Sequence, residues 1–138
     1  LLAEEAQGGM QSMNIYRDFQ VKANQVKDDL LAFLIEQKRS GKKIAAYGAA
    51  AKGNTLLNYA GVKADLVPFV CDAAPAKQGK FMPGSHIPIQ PPSALVEFNP
   101  DFVLILPWNI AKEVSSQLVN LETKGTQFVT AVPSLKIV

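Results

Sequence analysis

Apolar residues recur at steps of three and four along the first third of the chain. Tyr16, Phe19, Ala23, Val26, Leu30, Phe33 and Leu34 fall on one face, and Arg17, Lys22, Asn24, Gln25, Lys27 and Asp28 fill the other. This spacing predicts a long helix from Met10 to Ser40. Ser40-Gly41 ends it, and Lys38 and Arg39 in the last turn complement the helix dipole. Residues 1–9 read as a linker, with Gly8-Gly9 as a breaker. The apolar face is a packing face, and the same helix can brace a neighbouring domain.

Beyond Gly41 the period changes. Lys43–Tyr47, Leu66–Cys71, Phe102–Leu106 and Gln127–Ala131 read as strands, with Leu135–Val138 as a further short one. Phe102–Leu106 is apolar throughout, as a strand buried on both faces requires. Ile87-Pro88-Ile89 is a short extended piece, and its proline argues for an edge or irregular strand. Helices are predicted over Ala50–Ala60, closed by Gly61, from Pro91-Pro92-Ser93 through Phe98, and over Ile110–Leu121. This alternation predicts an α/β fold, a three-layer sandwich on a mostly parallel sheet preceded by the long helix. Residues 10–138 form one such domain.

Composition narrows the chemistry. A formal net charge of +2 is too small for a nucleic-acid-binding surface, and Lys38-Arg39 and Lys42-Lys43 cluster at a helix end. The single cysteine excludes an internal disulfide. Cys71 lies within an apolar run, so a buried thiol is expected. One Cys and one His cannot assemble a Cys/His zinc site, and no metal is expected. No apolar run is long enough to span a bilayer. Leu1-Leu2 is followed at once by Ala3-Glu4-Glu5, which is no signal peptide, so a cytoplasmic location without membrane contact is expected. The missing initiator Met and the abrupt start predict a fragment of a longer protein.

The chemistry-bearing segment is Gly48-Ala49-Ala50-Ala51-Lys52-Gly53-Asn54-Thr55, between a strand and a helix. A small-residue loop there leaves backbone N–H groups free at a helix N-terminus, where an anion is favoured. Lys52 adds a charge, and Asn54 and Thr55 add neutral donors. Gly48 and Gly53 align with the first and third glycines of the dinucleotide fingerprint, and Ala50 replaces the middle one. Asp72, ending the next strand, stands where a ribose-binding acid belongs. Lys77, Lys80 and His86 follow in a loop at the same presumed edge. The lysines are candidates for a diphosphate, and His86 for a sugar hydroxyl or acid–base work. Trp108 and Asn109 follow the buried strand, offering a flat face and an amide; capping of the next helix by Asn109 is the alternative. No nucleophile–base–acid signature or carboxylate pair is visible, so no catalytic residue is assigned.

Three ordered blocks carry a resemblance. They are Gly41 to Tyr59 with its core Tyr47-Gly48-Ala49-Ala50-Ala51-Lys52-Gly53-Asn54-Thr55, then Lys77 to Ile89, then Pro100 to Asn109. Together they resemble the C-terminal domain of SAM-dependent sugar C-methyltransferases, over nearly the whole chain from the long helix onward. The resemblance implies that a zinc-binding N-terminal part and a central catalytic domain precede this one. The central domain would bind S-adenosylmethionine and carry the catalytic base. A nucleotide-linked deoxysugar would lie between it and the present domain, which would bind no cofactor and methylate nothing alone. Substrate contacts would come from Gly48, Ala49, Lys52, Gly53, Asn54, Thr55, Asp72, Lys77, Lys80, His86, Trp108 and Asn109. Two other readings stay open: an NAD(P)-binding dehydrogenase-type module, and a Rossmann-like scaffold with no ligand.

Overall fold

The computed structural model describes residues 2–132 and 135–138, with side chains in the first helix from Gln20 onward. Helix α1 spans Leu2–Arg39. It runs through Gly8 and Gly9, where the sequence predicted a break. A helical glycine costs only about 1 kcal/mol relative to alanine, too little to interrupt a helix of this length. Tyr16 and Phe19 lie outside the residues whose side chains are described. The rest of the predicted stripe packs as its spacing requires, with Leu30 and Leu34 fully buried and Val26 and Phe33 against the same core. Each such leucine contributes roughly 2 kcal/mol of apolar burial. Phe33 meets Phe102 edge to face at 5.1 Å.

The sheet is built from β1 (Ile44–Tyr47), β2 (Val70–Cys71), β3 (Ile89–Gln90), β4 (Phe102–Ile105), β5 (Gln127–Thr130) and β6 (Lys136–Ile137). Its order is β3-β2-β1-β4-β5-β6, parallel except for β6, which pairs antiparallel with β5. Helix α2 (Ala51–Ala60) joins β1 to β2 and lies with α1 on one face, over Ile44, Ala46 and Leu104. Helices α3 (Ser93–Phe98), α4 (Ala111–Gln117) and α5 (Val119–Glu122) cover the other face, over Ala45, Tyr47, Val103 and Ile105. This is the three-layer sandwich expected, with every residue of β1 and β4 buried.

Two predicted elements come out markedly shorter. The second strand was expected over Leu66–Cys71, yet only Val70 and Cys71 pair. Pro68 has no N–H to give a ladder, and the amides of Leu66 and Val67 both close a turn on the Lys63 carbonyl. The helix expected over Ile110–Leu121 is a 3-10 turn at Trp108–Ile110 followed by α4 and α5, which part at Leu118. Ser115 and Ser116 both donate to the Lys112 carbonyl, a local bond that competes with the helical ladder just before the break. Proline-bearing Ile87-Pro88-Ile89 leads into β3 at the sheet edge, the first of the two alternatives its proline left open. No described helix is long and apolar enough to cross a membrane.

Candidate functional site

The strand order reverses between β1 and β4. From β1 the chain works outward to β3, then crosses back to β4 and outward the other way. The connections after β1 and β4 therefore leave toward opposite faces, and their divergence opens a crevice at the carboxyl edge. Open α/β sheets bind ligands in such crevices.

Two glycines shape its walls. Gly48 has φ +97°, and a Cβ there would stand 2.4 Å from Pro107 Cδ. It makes the turn out of β1 and lets the loop after β4 close against it. Gly53 lies inside α2, where a Cβ would stand 2.6 Å from Leu106 Cβ, so α2 approaches β4 more closely than any other residue would permit. These are the turn and packing roles that the first and third glycines of the fingerprint perform. Ala50, at the middle position, is extended (φ −100°, ψ 165°) and serves as the N-cap of α2 without a side-chain bond. The first turn of α2 therefore opens toward the crevice uncapped, carrying about half a positive charge.

Asp72 ties the crevice together. One carboxylate oxygen accepts from the Ala49 N–H at 2.8 Å, and the other from the Ala74 N–H at 2.8 Å. Lys77 Nζ lies 3.8 Å from it, and Gln78 Nε2 donates to the Asp72 carbonyl at 2.8 Å. The carboxylate thus pins the loop after β1 to the loop after β2, and each oxygen keeps acceptor capacity. From the opposite wall Trp108 comes under Lys52, whose Nζ is 5.9 Å from the ring centroid. Lys52 and Asn109 are exposed and Trp108 is half-buried. No side chain caps the 3-10 turn or α4, so Asn109 is not the cap that sequence offered as its alternative role.

The predicted residues divide into two groups. Gly48, Ala49, Lys52, Gly53, Asp72, Lys77, Trp108 and Asn109 gather around the crevice. Asn54 and Thr55 follow in α2, where the Thr55 hydroxyl is spent on the Ala51 carbonyl and Asn54 Oδ1 is buried without a partner among the described residues. Lys80 stands against β3, its N–H on the Lys77 carbonyl and its carbonyl accepting from the Ile89 N–H, while His86 goes elsewhere. Their segment folds back on itself, with Phe81 bridging Pro88, and lies along α2. Asn58 Nδ2 donates to the Pro83 carbonyl at 3.0 Å, and Gly84 closes against the same amide. Asn58 is seven residues into α2, roughly 10 Å along its axis from the crevice. His86 sits in that turn with φ 58°, exposed.

Three residues of the crevice were not singled out from sequence. Pro107 is the surface that Gly48 closes on. Gln78 locks the loop after β2. Tyr47, the last residue of β1, is 9% exposed and reads in sequence as core. Their positions follow from pairing and loop closure, which no local pattern records. Cys71 is fully buried as predicted, and burial pushes its thiol up to about 12. It is inert at neutral pH. Two open hollows, of about 390 and 180 Å³, lie at the amino edge around Pro68 and Phe98. The smaller is rimmed by Lys38, Lys42, Lys43 and Asp65.

Comparison with known proteins agrees with this frame. A family profile described as C-methyltransferase C-terminal domain matches residues 1–133. The chain is 32% identical over its full length of 138 residues to C-methyltransferase NovU of Streptomyces niveus, and spans 33% of that relative. Among solved structures, UDP-D-quinovosamine 4-dehydrogenase from Vibrio fischeri is similar with a TM-score of 0.51. It is 20% identical, over 70% of this chain and 93% of that one, a likeness of fold. The chain, from its long helix to the crevice between β1 and β4, belongs to the C-methyltransferase C-terminal domain family.

Proposed function

We infer that this domain holds a nucleotide-linked deoxysugar by its diphosphate in the crevice, presenting the sugar to a methyltransferase domain of the same protein. The observation that carries this reading is the uncapped N-terminus of α2 at the strand-order reversal, set there by Gly48 and Gly53 with Lys52 beside it. Free N–H groups, a helix dipole and a lysine suit a diphosphate. S-adenosylmethionine would be bound by the other domain, which would perform the methyl transfer in the cytoplasm. The contribution of this domain to rate is positional: it would fix the reacting carbon near the methyl donor.

Within the crevice, Lys52 and Gly53 would face the diphosphate, Ala49, whose N–H is held by Asp72, would line the loop beside it, and Trp108 and Asn109 would meet the other end of the ligand. Lys77 would balance Asp72. Lys80 and His86, on the hairpin beside α2, would contact ligand least, and Asn54 and Thr55 would act through α2.

A thermal-shift screen of this chain against thymidine and uridine diphosphates, NAD, NADP and S-adenosylmethionine tests the reading. A ligand of the folded state at a hundred times its Kd stabilises by about 2.7 kcal/mol. A rise in Tm with the pyrimidine diphosphates, absent with S-adenosylmethionine and reduced in Lys52→Ala, is expected. A rise with NAD or NADP alone would favour the dehydrogenase-type reading. No rise here or in a longer protein containing the methyltransferase domain would leave a scaffold.

A further inference from the structure

Tyr47 ends the central strand at the crevice, paired with Cys71 on β2 and Ile105 on β4. Its ring is packed in the core over α3 and α4, and the residue is 9% exposed. Its hydroxyl has no hydrogen-bond partner among the described residues. The one sequestered side-chain polar atom without a partner among the described residues is Asn54 Oδ1. Tyr47 is the last residue of β1, at the carboxyl edge where the strand order reverses. A nearly buried hydroxyl usually finds a partner, and an unpaired one calls for an explanation.

Asp72 directly follows Cys71, the residue that pairs with Tyr47 across β1 and β2. Burial, and then the charges of Asp72 and Cys71, push the phenol above its ordinary value, so it stays a protonated donor across the neutral range. The Asp72 oxygens keep acceptor capacity after bonding Ala49 and Ala74. A phenol donor beside a carboxylate acceptor matches an alcohol, which both accepts and donates. It suits a phosphate poorly, because Asp72 repels a second anion. An acid at the end of the second strand of such a fold stands at the pentose.

We propose that the Tyr47 hydroxyl donates to a pentose hydroxyl of the bound nucleotide, and that Asp72 accepts from the same hydroxyl. The inference rests on the nucleotide-sugar reading above and names the group that reads the nucleoside. The diphosphate then lies on the α2 side of β1 and the pentose on the Tyr47 side.

Titration calorimetry of this chain tests it, with thymidine diphosphate and its 3′-deoxy analogue against the parent and Tyr47→Phe. Thymidine diphosphate has a single pentose hydroxyl, so the comparison isolates one group. Tyr47→Phe should bind thymidine diphosphate about tenfold more weakly, the size of one hydrogen bond, and the 3′-deoxy analogue as tightly as the parent does. Its Tm without ligand should equal or exceed that of the parent, because the lost hydroxyl had no partner in the protein. Equal weakening of both ligands, or of neither, overturns the assignment while leaving the nucleotide reading intact. A parent that binds neither ligand removes both together.

Discussion

Replacing Gly53 with alanine sets two effects of opposite sign against each other. Alanine improves helix propensity by about 1 kcal/mol, which on an open helix face would stabilise. At this position the new Cβ would stand 2.6 Å from Leu106 Cβ and 2.9 Å from its Cδ1. Leu106 is fully buried, and its N–H is held by the Tyr47 carbonyl at 3.0 Å. It cannot yield, so α2 must retreat by about 1 Å to regain ordinary contact. Overpacking of this kind costs about 1–3 kcal/mol, and the rigid neighbour places this case in the upper part of that range. The net loss is then about 1–2 kcal/mol, or roughly 3–7 °C in Tm for a domain of this size. Thermal melts and urea titrations followed by circular dichroism would read both quantities. An alanine variant as stable as the parent, or more so, would refute the close approach of α2 to β4. With it would go the argument that Gly53 sets the helix N-terminus at the crevice.

Further outcomes follow from the same geometry. Asp72→Asn can satisfy only one of the Ala49 and Ala74 amides and should cost about 2–3 kcal/mol by urea titration; a loss below about 0.5 kcal/mol would mean that the two loops are held otherwise. The Cys71 thiol, raised by burial from 9.0 to about 12, keeps its proton in the fold after the unfolded chain has lost it. Its contribution is therefore complete below pH 9 and lost as pH rises toward 12, by at most about 4 kcal/mol. Relative to Cys71→Ala, the parent should lose stability across that window, and a difference that stays flat with pH would contradict the buried thiol.

Much of the architecture was legible because it rests on period and composition. The stripe through Val26, Leu30 and Leu34, the all-apolar run of β4 and the glycine closing α2 each state a local requirement that the packing then meets. Shorter elements were misjudged where local chemistry overrode apolar content, at Pro68 and at Ser115 and Ser116. At the site, the segment from Gly48 to Gly53 was legible because its glycines answer steric demands of the fold. The demands themselves, Pro107 against Gly48 and Leu106 against Gly53, join residues more than fifty positions apart and leave no mark in either local sequence. The same limit explains His86. Its place in the chain, after β2, suggested the carboxyl edge, but the hairpin at Phe81 and Pro88 turns that segment along α2. Tyr47 was hidden for a different reason: a strand-end aromatic has the same appearance in sequence whether its hydroxyl is used or not.

The central claim is that a nucleoside diphosphate binds at the α2 N-terminus. Amide chemical shifts of the isotope-labelled chain, followed during titration with thymidine diphosphate, test it most directly. The account predicts saturable shifts concentrated at Gly48–Gly53, Asp72 and Trp108, with little change at Lys38, Lys42 and Lys43 on the amino edge. Shifts centred on those three lysines, or none at any residue, would contradict it.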